Sequence, residues 1–89
     1  QLDNEQANEA ADQGAKWLDV RVPSEYAANG KSGAMNVPLY LLRHKLDMLD
    51  KATPYIVYCD TGRRSAAAAF ILNKKGFQSA VLSGGLNSC

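Results

Sequence analysis

Apolar and polar positions change period several times along this chain, and each change marks an element. Residues 3 to 13, Asp-Asn-Glu-Gln-Ala-Asn-Glu-Ala-Ala-Asp-Gln, are polar helix formers with few side chains able to fill a core, and Gly14 ends them. Ala15 to Val22 reads as a first strand whose apolar faces come from Trp17, Leu18, Val20 and Val22. Asp19 and Arg21 interrupt it at period two and so share one side of the sheet. Pro23 opens a short helix that closes at Gly30, and Asn29-Gly-Lys-Ser-Gly33 is a loop by composition. Ala34 to Val37 makes a short second strand, stopped by Pro38. Leu39, Leu42, Leu46 and Leu49 then fall on one helical face.

Lys51-Ala-Thr-Pro54 turns into a third strand, Tyr55 to Cys59, which is apolar almost throughout, as a strand covered on both faces is. Ser65 to Lys75 is helical again. Ala66 to Ala69 let its axis lie close to a sheet, Phe70, Ile71 and Leu72 are expected in the core, and Lys74, Lys75 and Gly76 suit its carboxyl end. Ser79 to Leu82 gives the last strand, and Ser83-Gly84-Gly85 a turn. The alternation predicts an α/β fold, a small, mainly parallel open sheet with helices on both faces.

The totals narrow the class. Eighty-nine residues suit one domain, residues 1–89, with a single core. With 46% hydrophobic and 21% charged residues the composition is that of an ordinary globular domain, and a net charge of +1 argues for neither nucleic acid nor an anionic membrane as partner. No apolar run approaches the roughly 20 residues of a membrane span, and no signal-peptide pattern opens the chain. The two cysteines, Cys59 and Cys89, have no CxxC or metal-ligand spacing, so neither a disulfide framework nor a metal is expected, and a reduced, cytoplasmic setting fits.

Candidate chemistry concentrates in Cys59-Asp-Thr-Gly-Arg-Arg-Ser65. A thiol at the carboxyl end of a strand, facing a helix amino terminus, stands where open α/β sheets hold their ligands. The turn offers backbone N–H groups, Gly62 has access to dihedrals closed to other residues, and Arg63 and Arg64 add two positive charges. Each favours a thiolate over a thiol, and an anionic substrate beside it. The competing reading is a buried structural cysteine, whose surroundings are ordinarily apolar. Asp19 and Arg21 read equally well as surface charges or as side chains that satisfy loop amides. Glu25, four residues past Arg21, either pairs with it or is solvated. His44, the one histidine, sits mid-helix, far from the strand ends that carry chemistry.

At this loop the sequence resembles the rhodanese-like family, whose active-site cysteine carries a persulfide. Leu18-Asp-Val-Arg-Val-Pro-Ser-Glu-Tyr26 is similar to the family's amino-terminal signature, Gly33-Ala-Met-Asn-Val-Pro-Leu39 to the segment that follows, and Gly76 to Leu86 to its carboxy-terminal signature. Any one of these alone is weak; four in the right order make a strong match. The resemblance implies a supporting role for Asp19 and Arg21, near the active face. It also marks departures. The usual Gly-His-Ile is replaced by Asn29, Gly30 and Lys31, and no strand is visible before the first helix. The chain is therefore expected to be a fragment of a longer protein, with possible fusion partner domains, or a shortened version of the domain.

Three functions follow as expectations. The first, implied by the resemblance, is a cofactor-free sulfurtransferase: Cys59 takes sulfur from thiosulfate or a persulfide, Asp60, Thr61, Gly62, Arg63, Arg64 and Ser65 bind the small anionic donor, and a thiol or cyanide accepts. No general base is needed once the thiol is ionised, which agrees with the lack of a nearby histidine. The second is a thiol phosphatase or arsenate reductase. The Cys-x5-Arg spacing of cysteine phosphatases requires arginine at position 65, which is Ser65, and the family's phosphatases have a loop one residue longer. The third is a non-catalytic binding or regulatory domain that keeps the fold.

Overall fold

A computed structural model describes residues 1 to 88, apart from the side chains of 87 and 88. Cys89, read as part of neither a disulfide framework nor a metal site, therefore lies outside the described residues. Helix α1 (Asn4–Asp12) starts where Asp3 accepts from the Gln6 amide at 2.8 Å and the Gln6 side chain accepts from the Asp3 amide at 3.0 Å. The chain continues through β1 (Lys16–Asp19), α2 (Pro23–Asn29), β2 (Met35–Asn36), β3 (Tyr55–Tyr58), α3 (Arg63–Lys74) and β4 (Ser79–Val81).

The strands form one parallel sheet in the order β2-β1-β3-β4, with Leu18 opposite Met35 and Val57, and Val57 opposite Val81. Because β2 lies on one side of β1 and β3 on the other, the chain reverses direction across the sheet between β1 and β3. Ligand crevices open at the carboxyl ends of such a strand pair.

Alternate residues of the strands feed two cores. Leu18, Val20, Tyr55, Val57 and Cys59 pack under α3 and the 39–49 segment, with Leu42, Ala68 and Leu72. Ile56 and Tyr58 face the other way, with Ala7 of α1, Ala34 and Leu82. Helices thus cover both faces, as the alternation predicts.

Three expectations need correction. Residues 39 to 49 are not one α-helix but two 3-10 turns, Leu39–His44 and Leu46–Met48, interrupted at Lys45, whose φ is −118°. At three residues per turn, Leu39 with Leu42 and Leu46 with Leu49 each share a face, and the break at Lys45 sets the second pair in phase with the first. Phe70 is not in the core. Ser65, Ala68, Ala69 and Leu72 form the buried stripe of α3, which leaves Phe70 68% exposed. Finally, the first strand is shorter than residues 15 to 22. Its ladder ends at Asp19, and the Asn36 side-chain amide then donates to the carbonyls of Asp19 (3.1 Å) and Arg21 (2.9 Å). At the other edge of the sheet Leu2 bridges Leu82 in parallel, its amide donating to Val81 at 2.8 Å. A single bridged residue has no period to read, so the sequence shows no strand there.

Candidate active site

The third strand delivers Cys59 to the rim of the crevice, and the turn after it folds back over the thiol. Gly62 takes φ +102°, a left-handed conformation that side chains disfavour, and caps α3. That turn aims the Gly62 amide at Cys59 Sγ (3.1 Å), and the first turn of α3 aims the Ser65 amide at the same atom (3.4 Å). The Ser65 hydroxyl lies 3.4 Å from the sulfur and 3.1 Å from the Gly62 carbonyl, and its single proton turns to the sulfur when Cys59 is ionised. Burial pushes the Cys59 thiol up, but the Ser65 hydroxyl and the amides of Ser65, Gly62 and Thr61 outweigh it, and the thiol ionises below its ordinary range.

The floor of the turn is backbone on backbone. Leu86 N–H donates to the Cys59 carbonyl at 2.9 Å, and a Cβ at Gly85 would collide with the carbonyl oxygens of Cys59 and Asp60. Only glycine fits that crossing.

Charged side chains lock the turn to the loop that follows β1. Arg21 is buried against Asp19, at 1% and 0% exposure. Its Nε donates to both Asp19 oxygens at 3.1 and 3.2 Å, and Nη2 donates to Oδ2 at 2.8 Å. Its Nη1 reaches Asn29 at 2.7 Å and Asp60, next to the cysteine, at 3.1 Å. The guanidinium is held protonated far above any accessible pH, chiefly by Asp19. So Asp19 and Arg21 are not surface charges: they tie the β1 end to the loop that carries the thiol.

Arg64 continues the chain of charges. Its Nη1 and Nη2 donate to the two carboxylate oxygens of Glu25 at 2.7 and 3.0 Å, and Nη2 lies 3.5 Å from Asp60. Glu25 therefore pairs with Arg64 and not with Arg21. The Arg64 guanidinium holds the Glu25 carboxyl down to about 2, helped by the Val22 amide, which donates to Glu25 at 3.2 Å. Arg64 is raised by Glu25 first, and also by the charge of Cys59. Arg63 and Thr61 are exposed. The lowering of the thiol thus comes chiefly from hydroxyl and amide donors, and Arg64 is coupled to Cys59 while paired with Glu25.

Glu25 is the residue whose partner sequence reasoning missed. Its signal lay in the topology: β1 and β3 are neighbours, so the first turn of α2 and the first turn of α3 face each other across the crevice. The Asn29–Gly33 loop, where the sequence departs from the family pattern, is well anchored. Tyr58 Oη accepts from the Lys31 amide at 2.9 Å, Lys31 Nζ sits 4.5 Å over the Trp17 ring, and Tyr26 Oη donates to the Ala34 carbonyl at 2.9 Å. His44 lies on the exposed 3-10 turn, away from the thiol. No group of residues capable of holding a metal and no helix long and apolar enough to cross a membrane occurs among the described residues.

A strand-end cysteine whose sulfur is ringed by amides and a hydroxyl, at the switch point of a parallel sheet, defines an α/β protein with a donor-lined thiol loop. Within that class the match is specific: residues 3–89 fit the model of the rhodanese-like domain, and the chain belongs to that family. It is 38% identical over 72 residues to the thiosulfate sulfurtransferase PspE of Escherichia coli, spanning 79% of this chain and 69% of that protein. It is 34% identical over 73 residues to the thiosulfate sulfurtransferase GlpE of Pseudomonas fluorescens, spanning 82% of this chain and 67% of that protein. A crystal structure of a rhodanese-related protein from Thermoplasma volcanium superposes with a TM-score of 0.91 at 31% identity, covering 98% of this chain and 86% of that one.

Proposed function

We propose that the chain is a sulfurtransferase that carries a sulfane sulfur on Cys59, from thiosulfate or a persulfide donor to a thiol or cyanide. The observation that carries this reading is the thiol ringed by the Gly62 amide, the Ser65 amide and the Ser65 hydroxyl. Membership of the family and likeness to two thiosulfate sulfurtransferases support it.

In the first half-reaction the Cys59 thiolate attacks the outer sulfur of thiosulfate. A new S–S bond forms as the old one breaks, and sulfite leaves with the bonding electron pair. Cys59 is left as a persulfide with the negative charge on its terminal sulfur. In the second, cyanide or a thiolate attacks that sulfur and the Cys59 thiolate departs, so the cycle closes without net oxidation. Each enzyme species is an anion, and donors already in place stabilise it without reorganisation. Arg64, coupled electrostatically to Cys59 and fixed by Glu25 and Asp60, is the guanidinium nearest in role to the donor anion. Asp19 and Arg21 act at one remove, by anchoring Asp60.

The test is the intact mass of the protein before and after brief exposure to thiosulfate. One added sulfur atom, mapped to Cys59 and released by cyanide as thiocyanate, is expected, and Cys59→Ser abolishes both steps. A wild type that takes up no sulfur from thiosulfate or a low-molecular-weight persulfide overturns the proposal in favour of a binding domain.

A further inference from the structure

Away from the thiol, a hollow of about 510 Å³ opens between the 3-10 turn and α3, with Tyr40, Arg43 and His44 on one wall and Ala67, Phe70 and Ile71 on the other. Tyr40 and Phe70 are 66% and 68% exposed, two of the three large apolar side chains left to solvent among the described residues. A smaller hollow of about 120 Å³ continues past Arg43 and Phe70 to Lys74 and Lys75. No carboxylate lines either hollow, and none of the four ion pairs among the described residues uses Arg43, Lys74 or Lys75.

This face is continuous with the active-site loop. Arg63, Ala67, Phe70 and Lys74 are all exposed and follow one another at spacings of four, three and four, a single stripe of α3 that begins in the loop. At 1.5 Å per residue the stripe is about 16 Å long, which about five residues of extended chain would span. Lys74 Nζ sits 6.0 Å over the Phe70 ring, and exposed aromatic rings beside cations that form none of the described ion pairs match one kind of occupant: alternating carboxylates and aliphatic side chains.

We infer that this face docks an acidic, aliphatic-bearing extended segment of the protein that accepts sulfur from Cys59; the acceptor role rests on the sulfurtransferase reading above. Aliphatic side chains enter the hollow between Tyr40 and Phe70, and carboxylates meet Arg43, Lys74 and, at the loop end, Arg63. A second copy of this chain fits less well. Its acidic helix, α1, carries Glu5, Glu9 and Asp12, but Ala7 is buried and Ala10 and Ala11 are packed against its own sheet, so it offers charge without apolar side chains.

The experiment uses two synthetic octapeptides ending in cysteine, one alternating glutamate and leucine, the other lysine and leucine, as acceptors for sulfur loaded on Cys59. The glutamate peptide is expected to show a KM about tenfold lower than the lysine peptide. Phe70→Ser and Arg43→Glu should each erase that ratio while leaving turnover with cyanide unchanged. Equal KM values for the two peptides, or a ratio preserved in both variants, overturn the inference. Concentration-dependent self-association abolished by Phe70→Ser also overturns it, assigning the face to a second copy. If Cys59 takes up no sulfur, the same peptides with alanine for cysteine still report on the surface. Amide resonances of residues 40–44 and 67–75 should then shift with the glutamate peptide and not the lysine one, and unmoved resonances overturn docking whatever the fate of the catalytic reading.

Discussion

Replacing Arg21 by methionine tests whether the buried ion pair holds the site together. Methionine keeps much of the stem volume but removes five side-chain hydrogen bonds, three to Asp19 and one each to Asn29 and Asp60. The Asp19 carboxylate would remain fully buried without its guanidinium, still accepting from the Arg21 backbone amide at 2.9 Å. A buried charge stripped of its partner costs about 3–5 kcal/mol. For 89 residues the whole folding stability is about 4–13 kcal/mol, so the loss is a large fraction of it. With a urea m-value of about 1–3 kcal/mol/M, the unfolding midpoint should fall by at least about 1 M. The one tryptophan, Trp17, packs edge-on against Tyr58 at 5.9 Å and reports the transition by fluorescence. The double variant Asp19→Leu/Arg21→Met should be more stable than Arg21→Met alone, because no charge is left stranded and Asp60 is exposed enough to be hydrated. A cost below about 1 kcal/mol for Arg21→Met, or a double variant at the sum of the two singles, would refute this account.

Other outcomes follow from the same geometry. Alkylation of Cys59 should remain fast at lower pH in the folded protein than in urea, and Ser65→Ala should move its profile to higher pH; coincident folded and unfolded profiles contradict the donor ring. Glu25 has its carboxyl held down to about 2, below an unfolded value of about 4.3, so its link to Arg64 contributes stability above about pH 4 that is lost as the pH falls through about 2. The stability difference between wild type and Glu25→Gln should therefore shrink over that window, and a pH-independent difference counts against the link. Leu72→Ala should cost about 2–5 kcal/mol and Phe70→Ala less than about 0.5, since one is buried and the other exposed; comparable costs would mean the core stripe of α3 is misassigned.

Much of this was legible in the sequence, and the reasons differ by residue. The second, third and fourth strands were expected to end at Val37, Cys59 and Leu82, and the structure ends them one residue earlier. Val37 and Leu82 nevertheless donate to Asp19 and Val57 at 2.9 and 3.0 Å, so ladder hydrogen bonds run on to two of the expected ends. The thiol loop was legible because a β-branched run, a glycine and a helix start leave few paths for the chain. Phe70 was misplaced because an alanine-rich helix gives a weak apolar period: with Ala66 to Ala69 available on every side, sequence alone does not fix which face turns inward. The pairing of Glu25 was missed for another reason. Its partner, Arg64, is 39 residues away, and only the adjacency of β1 and β3 brings the two together.

The crossing at Gly85 bears on how this site can change. Where the last turn passes beneath the thiol loop, main chain meets main chain, with no side chain between. Substitution can recolour the rim, where Thr61, Arg63 and Arg64 present their side chains, but it has nothing to exchange beneath Cys59. The geometry beneath the thiol is therefore set by the number of residues in the loop and the course of the backbone. Lineages that diverge by point mutation would inherit one spacing of main chain beneath Cys59, and changing that spacing would call for an insertion or a deletion.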